Sequence, residues 1–392
     1  LPVTTMPTAP TAEDPGVVPI PDAGVLVFDR DTEGFECFRI PALILAADGD
    51  LLAFAEARRP LPGGGWCDDQ ASTDLVLRRS SDRGHTWSPL TTVLAGDPWD
   101  RPGVRATRGN PSPVVLSRGE HAGRIVLVST YNPEGDPTLR LPFVQHSDDH
   151  GRTWSEARDL TEQLKPDLPN LGWFATGPQH AIEITNGPHA GRLVVGLTVQ
   201  HDQRYEGALA LSDDGGLTWW RGAVAARPVD ADHFSEVGVV ERADGSLLAI
   251  GRSQKGERAS SMPYSRVCAV SEDGGETFTS ATFRYLLDLL TTADVQGSVL
   301  NLDAQRGAAG NILLYAAPTH PRTRKYLSVF VSTDGGRSWT RRAEVTSDRS
   351  GYSDVVMVDD THLGVLYETG LESGDARDRI LYKELWTERL GV

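Results

Sequence analysis

The sequence predicts an all-β fold, a six-bladed β-propeller. One octapeptide template recurs five times at near-constant spacing, short β-rich runs fill the intervals, and long helical periodicity is largely absent. The chain has 392 residues, enough for two ordinary domains or one large all-β domain. Residues 1–20, rich in Pro, Thr and Ala, read as a flexible leader, and residues 21–392 as a single propeller domain.

The template is Ser-x-Asp-x-Gly-x-Thr-Trp, with small variations. It occupies Ser80–Trp87, Ser147–Trp154, Ser212–Trp219, Ser271–Phe278 and Ser332–Trp339, with starts 67, 65, 59 and 61 residues apart. Its chemistry is that of a hairpin turn. Asp bonds to the backbone that follows, Gly supplies a positive φ, and the aromatic residue packs beneath as a plug. These aspartates therefore read as turn formers and not as catalysts.

Strand-like runs precede the boxes, as in Asp74-Leu75-Val76-Leu77, Ala208-Leu209-Ala210-Leu211 and Leu327-Ser328-Val329-Phe330-Val331. Others lie between them, such as Arg124–Val128, Arg192–Val195 and Gly245–Ile250. A unit of about 60 residues with several short strands and one signature turn fits a propeller blade. A β-solenoid is the alternative, but its repeats are usually shorter. The spacing leaves room for a sixth blade without a box. Ring closure would pair Val25–Phe28 with Arg379–Lys383.

Composition excludes several function classes. No apolar run approaches the ~18 residues that span a bilayer, so no membrane insertion is expected. A formal charge of −16 argues against nucleic acid or anionic membranes as partners. An anionic substrate would need a local basic pocket. No HExxH or zinc-like Cys/His cluster occurs, so no metal is expected. Cys37, Cys67 and Cys268 are too few for a disulfide scaffold. Cys37 and Cys67 can pair, although two buried thiols are the plainer reading.

Phe38-Arg39-Ile40-Pro41 puts an arginine at the mouth of a buried-strand pattern, where it needs water or an acidic partner. With 34 arginines against four lysines, an arbitrary arginine is a surface residue, so position has to carry the argument. Phe-Arg-Ile-Pro upstream of five such boxes resembles the exo-α-sialidases (neuraminidases) of the bacterial and animal six-bladed group. The resemblance runs from about residue 25 to the C-terminus.

The resemblance implies a retaining exo-α-sialidase that removes terminal sialic acids from glycoconjugates. Arg39, Arg252 in Leu-Leu-Ala-Ile-Gly-Arg, and Arg324 before the fifth box match the three arginines that grip the sugar carboxylate. Arg322 is an alternative for the third. Planar guanidinium forks suit carboxylate oxygens. Tyr352, in Ser-Gly-Tyr-Ser-Asp, matches the nucleophile, and Glu236, in Phe-Ser-Glu-Val-Gly, its partner acid. A neutral phenol suits an anomeric carbon that itself bears a carboxylate, because an anionic nucleophile would be repelled. Without the resemblance, Tyr352 reads as a packed strand residue.

Asp69, eleven residues before Ser80, matches the general acid/base, with the adjacent Asp68 as the alternative. Asp74 reads as structural. The loop's Gly63-Gly64-Gly65 would let the acid close over bound sugar. Glu368 matches the acid that fixes the first arginine. Asn110 in Gly-Asn-Pro and His180 in Thr-Gly-Pro-Gln-His resemble pocket-lining residues, although Pro178-Gln179 departs from the glycine that many bacterial members carry before this histidine. The resemblance implies no cofactor, sialylated glycans as partners and, with the missing initiator Met, secretion. Transfer of sialic acid, cleavage of a related nonulosonic acid, and a non-catalytic glycan-binding propeller are the alternatives.

Overall fold

The computed structural model describes residues 16–20, 23–96, 106–133, 139–166, 173–201, 204–225, 233–254, 266–279, 284–289, 292–308, 310–320, 323–370 and 374–392. Arg322 lies outside them. The described strands form four largely antiparallel sheets.

In the first sheet Cys37–Leu45, Leu51–Arg58 and Thr73–Ser80 run antiparallel in chain order, with Thr91–Leu94 at the edge. A single parallel bridge, Thr73 to Thr107, links them to a second meander, Thr107–Val115, Ile125–Asn132, Leu141–Ser147 and Arg158–Asp159. The next sheet runs Phe174–Thr176, Leu193–His201, Arg204–Ser212 and Trp220–Val224, with Ile182–Glu183 also on the second of these. His233–Glu241, Leu247–Gln254, Arg266–Ser271 and Arg284–Tyr285 form the third.

The fourth sheet contains Ser298–Asn301, Leu313–Pro318 and Lys325–Ser332. It continues through the 20-residue strand Thr340–Asp359, which pairs Lys325–Ser332 along one half and His362–Gly370 along the other. Arg379–Trp386 follows, and Val25–Asp29 closes the edge. Val25 pairs with Tyr382 and Leu26 with Leu381, so the two ends of the chain meet as the sequence predicts.

Each sheet packs between two others, which explains strands such as Leu51–Arg58 that are buried at every position. The cores lie between sheets. Phe38, Leu43 and Leu51 pack with Val356, Leu366 and Tyr382 across the chain-end seam. The expected leader is shorter than 1–20 at its C-terminal end. Val18–Pro19 pairs in parallel with Ala343 and Glu344, and Ile20 is buried in the core, because apolar residues there have a groove to fill.

The repeated octapeptides form one hydrogen-bonded turn. In the first, the Ser80 hydroxyl donates to Asp82 at 2.8 Å and accepts the Gly84 N–H at 2.7 Å. Thr86 donates its N–H and hydroxyl to Asp82. The same pattern joins Ser147 to Asp149, Ser212 to Asp214, Ser271 to Asp273 and Ser332 to Asp334. Gly84 has φ 88°, and a Cβ there would lie 2.1 Å from the Tyr382 ring, so this glycine is required twice over.

Candidate active site

Four strands that begin meanders break register beside one cavity. The breaks fall between Arg39 and Ala42, Gly109 and Ser112, Ser235 and Gly238, and Ser350 and Ser353. At three of them a non-glycine residue is left-handed: Ile40 at φ 55°, Asn110 at 50° and Glu236 at 49°. A bulge spends one extra residue to re-aim a side chain. Here the bulges turn Arg39, Asn110, Glu236 and Tyr352 towards one cavity of about 650 Å³. Left-handed backbone at a β-branched isoleucine is unfavourable, and such strain concentrates at functional sites.

Arg39, Arg252, Arg324, Tyr352, Glu236, Asp69 and Asn110 all line this cavity. The Arg39 guanidinium carbon lies 5.0 Å from the Tyr352 ring centre, and that of Arg324 5.9 Å from it. Arg252 donates to Glu236 at 3.2 Å and to Asp294 at 2.6 Å. The Tyr352 hydroxyl donates to Glu236. Its ring rests on Ile40, Ala293 and Val295. Burial and the neighbouring Glu236 push the phenol well above its ordinary range, beyond what Arg252, Arg39 and Arg324 take back. It is a neutral phenol at any ordinary pH.

Glu368 lies fully buried beneath the cavity. It accepts from Arg39 Nε at 2.9 Å and Nη2 at 3.2 Å, from the Ile40 N–H at 2.9 Å and from the Tyr352 N–H at 3.1 Å. One carboxylate thus holds the bulge under Arg39 and the backbone of Tyr352 together, from 329 residues away in the case of Arg39.

Asp69 hangs into the mouth with its side chain 70% exposed. It accepts from Arg58 at 2.5 Å and faces Arg39 at 3.7 Å. The protein walls around this exposed carboxyl oppose its ionisation, but Arg58 and Arg39 outweigh them and hold the group down to about 2. Asp68 instead accepts the N–H groups of Gly65 and Gln70, closing the turn. Asp74 is structural, paired with Arg59 and accepting the Gly96 N–H.

Cys37 and Cys67 form a disulfide, against the plainer expectation of two thiols. The loop crosses back over the strand that carries Arg39, bringing the two Cα atoms to 5.7 Å. Trp66 adds a second anchor between the guanidinium groups of Arg30 and Arg377. The acid-bearing loop is therefore fastened on the residues just before Asp69.

His180 is not part of this site. It lines a separate cavity with Leu43, Ala181 and Val356. Its N–H and Nδ1 both bind Asp354, at 2.9 and 2.8 Å, and Asp354 also accepts the Leu43 N–H. The reason is that Asp354 sits where strand backbones approach without pairing, and the imidazole completes its buried shell.

Sequence reasoning missed Glu56, Arg58, Arg140, Trp173, Tyr205 and Arg377 in the cavity wall, and Asp294 behind Arg252. Glu56 and Arg58 were findable. They occupy alternate positions at the end of an otherwise apolar strand, share one face, and pair at 2.6 Å. Glu56 also accepts the Asn110 N–H at 2.9 Å.

Three arginines thus line one cavity around a phenol–carboxylate pair. A family model, the BNR repeat-like domain, matches residues 49–365. The chain belongs to that family, and among the proteins it is similar to are several sialidases. A sialidase of Micromonospora viridifaciens is 29% identical over 90% of this chain and 54% of its own length. One of Bacteroides fragilis is 26% identical over 89% of this chain and 63% of its own. The chain thus spans between half and two thirds of these relatives. The Hadza microbial sialidase Hz136 superposes with a TM-score of 0.73 at 22% identity, over 93% of this chain and 68% of that one. The fold is all-β and sialidase-like, with curled antiparallel sheets.

Proposed function

We propose that the protein is a retaining exo-α-sialidase acting on sialylated glycans without a cofactor, in a secreted setting. Its frame is one six-bladed propeller, the domain expected over residues 21–392 extended at its start by Val18–Ile20. In support, dividing the first sheet at its parallel bridge and the fourth within Thr340–Asp359 gives six antiparallel meanders among the described residues. Successive inner strands touch in a circuit that returns from Thr340–Asp359 to Cys37–Leu45.

The observation that carries the catalytic reading is the Tyr352–Glu236 hydrogen bond beside Arg39, Arg252 and Arg324. The arginines hold the sugar carboxylate, with Glu368 aiming Arg39. Asp69 gives its proton to the leaving oxygen as the Tyr352 oxygen attacks the anomeric carbon, and Glu236 takes the phenolic proton. In the second half Asp69 takes a proton from water, the water oxygen displaces the tyrosine, and Glu236 returns the proton to it. Two inversions give retention. Sialidases with a tyrosine nucleophile stand outside the usual two-carboxylate scheme.

Asp69 is ionised in the free protein, so the substrate must restore its proton. A carboxylate bound at Arg39 does this by adding negative charge beside Asp69 and drawing off one of its two cationic partners. Turnover of a fluorogenic α-sialoside, blocked by a sialic-acid glycal, tests the reading. NMR of the first-formed anomer tests retention, and initial appearance of the inverted sugar refutes the scheme. Tyr352→Phe should remove retaining turnover and leave the melting curve intact. The same groups would serve a transferase, for which added acceptor glycan would divert the product from free sugar.

A further inference from the structure

The cavity that His180 lines measures about 630 Å³ and lies at the other end of the inner strands from Tyr352. Cys37–Leu45 presents Arg39 and Ile40 to the first cavity and Leu43, Ile44 and Leu45 to this one. Thr340–Asp359 does the same with Tyr352 and Val356, and the fully buried Asp354 stands between them. The two cavities share no lining residue. Ligand pockets of this size are mostly apolar, with a few placed polar groups. Here the walls are aliphatic, with Leu43, Val114, Ile182, Val240 and Val356 among them. Alanines stand at the mouth, Ala47 and Ala122 on exposed turns and Ala304 on the short helix Leu302–Gln305.

Two imidazoles supply the open polar points. His180 is 8% exposed and held by Asp354 through its N–H and Nδ1, and among the described residues no hydrogen bond reaches its Nε2. The Nδ1 of His150 is buried without a partner. Glu183 and Glu241 line the cavity too, but Glu183 already accepts from Ser117, and Glu241 from Thr185 and Asn186. These four are the titratable groups of the wall, which contains no arginine or lysine among the described residues. An anion would therefore face two carboxylates without a countercharge. A cation would lose its hydration to oxygens already occupied, beside an imidazole that Asp354 raises above its ordinary range although burial opposes the charge. A hydroxyl avoids both penalties, because it donates to a neutral Nε2 and accepts from a protonated one. Water finds few partners along the aliphatic wall, so an apolar body that displaces it gains.

We infer that this cavity is a second ligand site, which takes an uncharged lipophilic alcohol with its hydroxyl at His180 Nε2 and its body against Leu43, Val114 and Val356. The inference does not depend on the sialidase reading, since its residues are separate from those around Tyr352.

The experiment is a ligand-observed NMR titration of the whole chain with three probes of one length, n-octanol, n-octylamine and octanoate. n-Octanol should saturate a single site, and the two charged probes should bind it at least about tenfold more weakly, because a buried charge without a partner costs more than a hydrogen-bonded hydroxyl. Ala122→Trp and Ala304→Trp place a large side chain across the mouth from positions that are not part of the packed core. Each should remove the saturable n-octanol signal and leave both the melting curve and turnover of an α-sialoside unchanged. Tyr352→Phe should bind n-octanol as the wild type does, which separates this site from the first cavity. n-Octanol binding that fails to saturate, that octanoate equals, or that survives both tryptophan variants overturns the inference, whether or not the protein cleaves an α-sialoside.

Discussion

Replacing Glu368 by glutamine asks how much of the site hangs on one buried carboxylate. The change keeps the shape and removes the charge. Four donors converge on Glu368: Arg39 Nε and the Ile40 N–H on one oxygen, Arg39 Nη2 and the Tyr352 N–H on the other. A glutamine NH2 must occupy one oxygen position, so whichever way the amide turns, two donors meet a donor. Each buried donor left unsatisfied costs about 1–3 kcal/mol. Removing one partner of a buried ion pair costs about 3–5 kcal/mol in all, and Arg39 has only the exposed Asp69 to fall back on. These figures overlap, so we expect a loss of about 3–5 kcal/mol in urea unfolding. The free Arg39 fork should raise KM for an α-sialoside more than it lowers kcat, with Tyr352 losing alignment second. A loss under about 1 kcal/mol with KM unchanged would refute the claim that Glu368 organises both strands.

Asp69→Asn should slow glycans, which leave as poor alkoxides, by about 10²–10⁴-fold, and slow aryl glycosides with acidic phenols much less. Its basic limb should vanish from the pH profile of kcat. The box turns predict acid lability. Thr86 and Ser80 hold Asp82 near 2, and at Asp334 burial opposes ionisation but the Ser338 and Ser332 contacts bring it to about 2 as well. A depressed folded pKa gives stability that is complete above the unfolded value of about 4 and is lost as pH falls towards 2, so the melting temperature should drop through that window. A Cys37→Ser/Cys67→Ser double variant opens a 30-residue loop, about 3–4 kcal/mol on the loop-closure model, and should lower kcat/KM through the Asp69 loop while Cys268→Ser does not.

Much of the frame was legible because it repeats. Five copies of one turn announce five similar units, and a turn bonds locally, so its residues are neighbours in sequence. The chain-end pairing followed from ring closure. Arg39, Glu236, Tyr352 and Glu368 were legible only through short motifs, since each works with partners from distant strands. Arg140 and Trp173 carry no motif, and one arginine among 34 is invisible until burial singles it out. His180 was misplaced because a motif fixes a loop and not the direction of its side chain, which here follows Asp354 into the other cavity. The bulges were also unreadable, as nothing in Arg-Ile-Pro marks Ile40 for left-handed backbone.

The site sits on the seam where the fold closes, and this explains its dependence on Glu368. Arg39 belongs to the first meander, whereas Tyr352 and Glu368 belong to the last, whose outer edge is supplied by Val25–Asp29. The core across that seam mixes Phe38 and Leu43 with Val356 and Tyr382. Main-chain pairing does not cross between Cys37–Leu45 and Thr340–Asp359, so side chains have to join them. Asp354 does so through the Leu43 N–H and Glu368 through the Ile40 N–H, one deep in the strand and one at the bulge. The Arg39–Glu368 pair thus fastens this seam and also aims an arginine that lines the cavity. Joining the two ends of the sheet circuit and orienting Arg39 depend on the same carboxylate, so this arginine faces the cavity with its orientation already fixed.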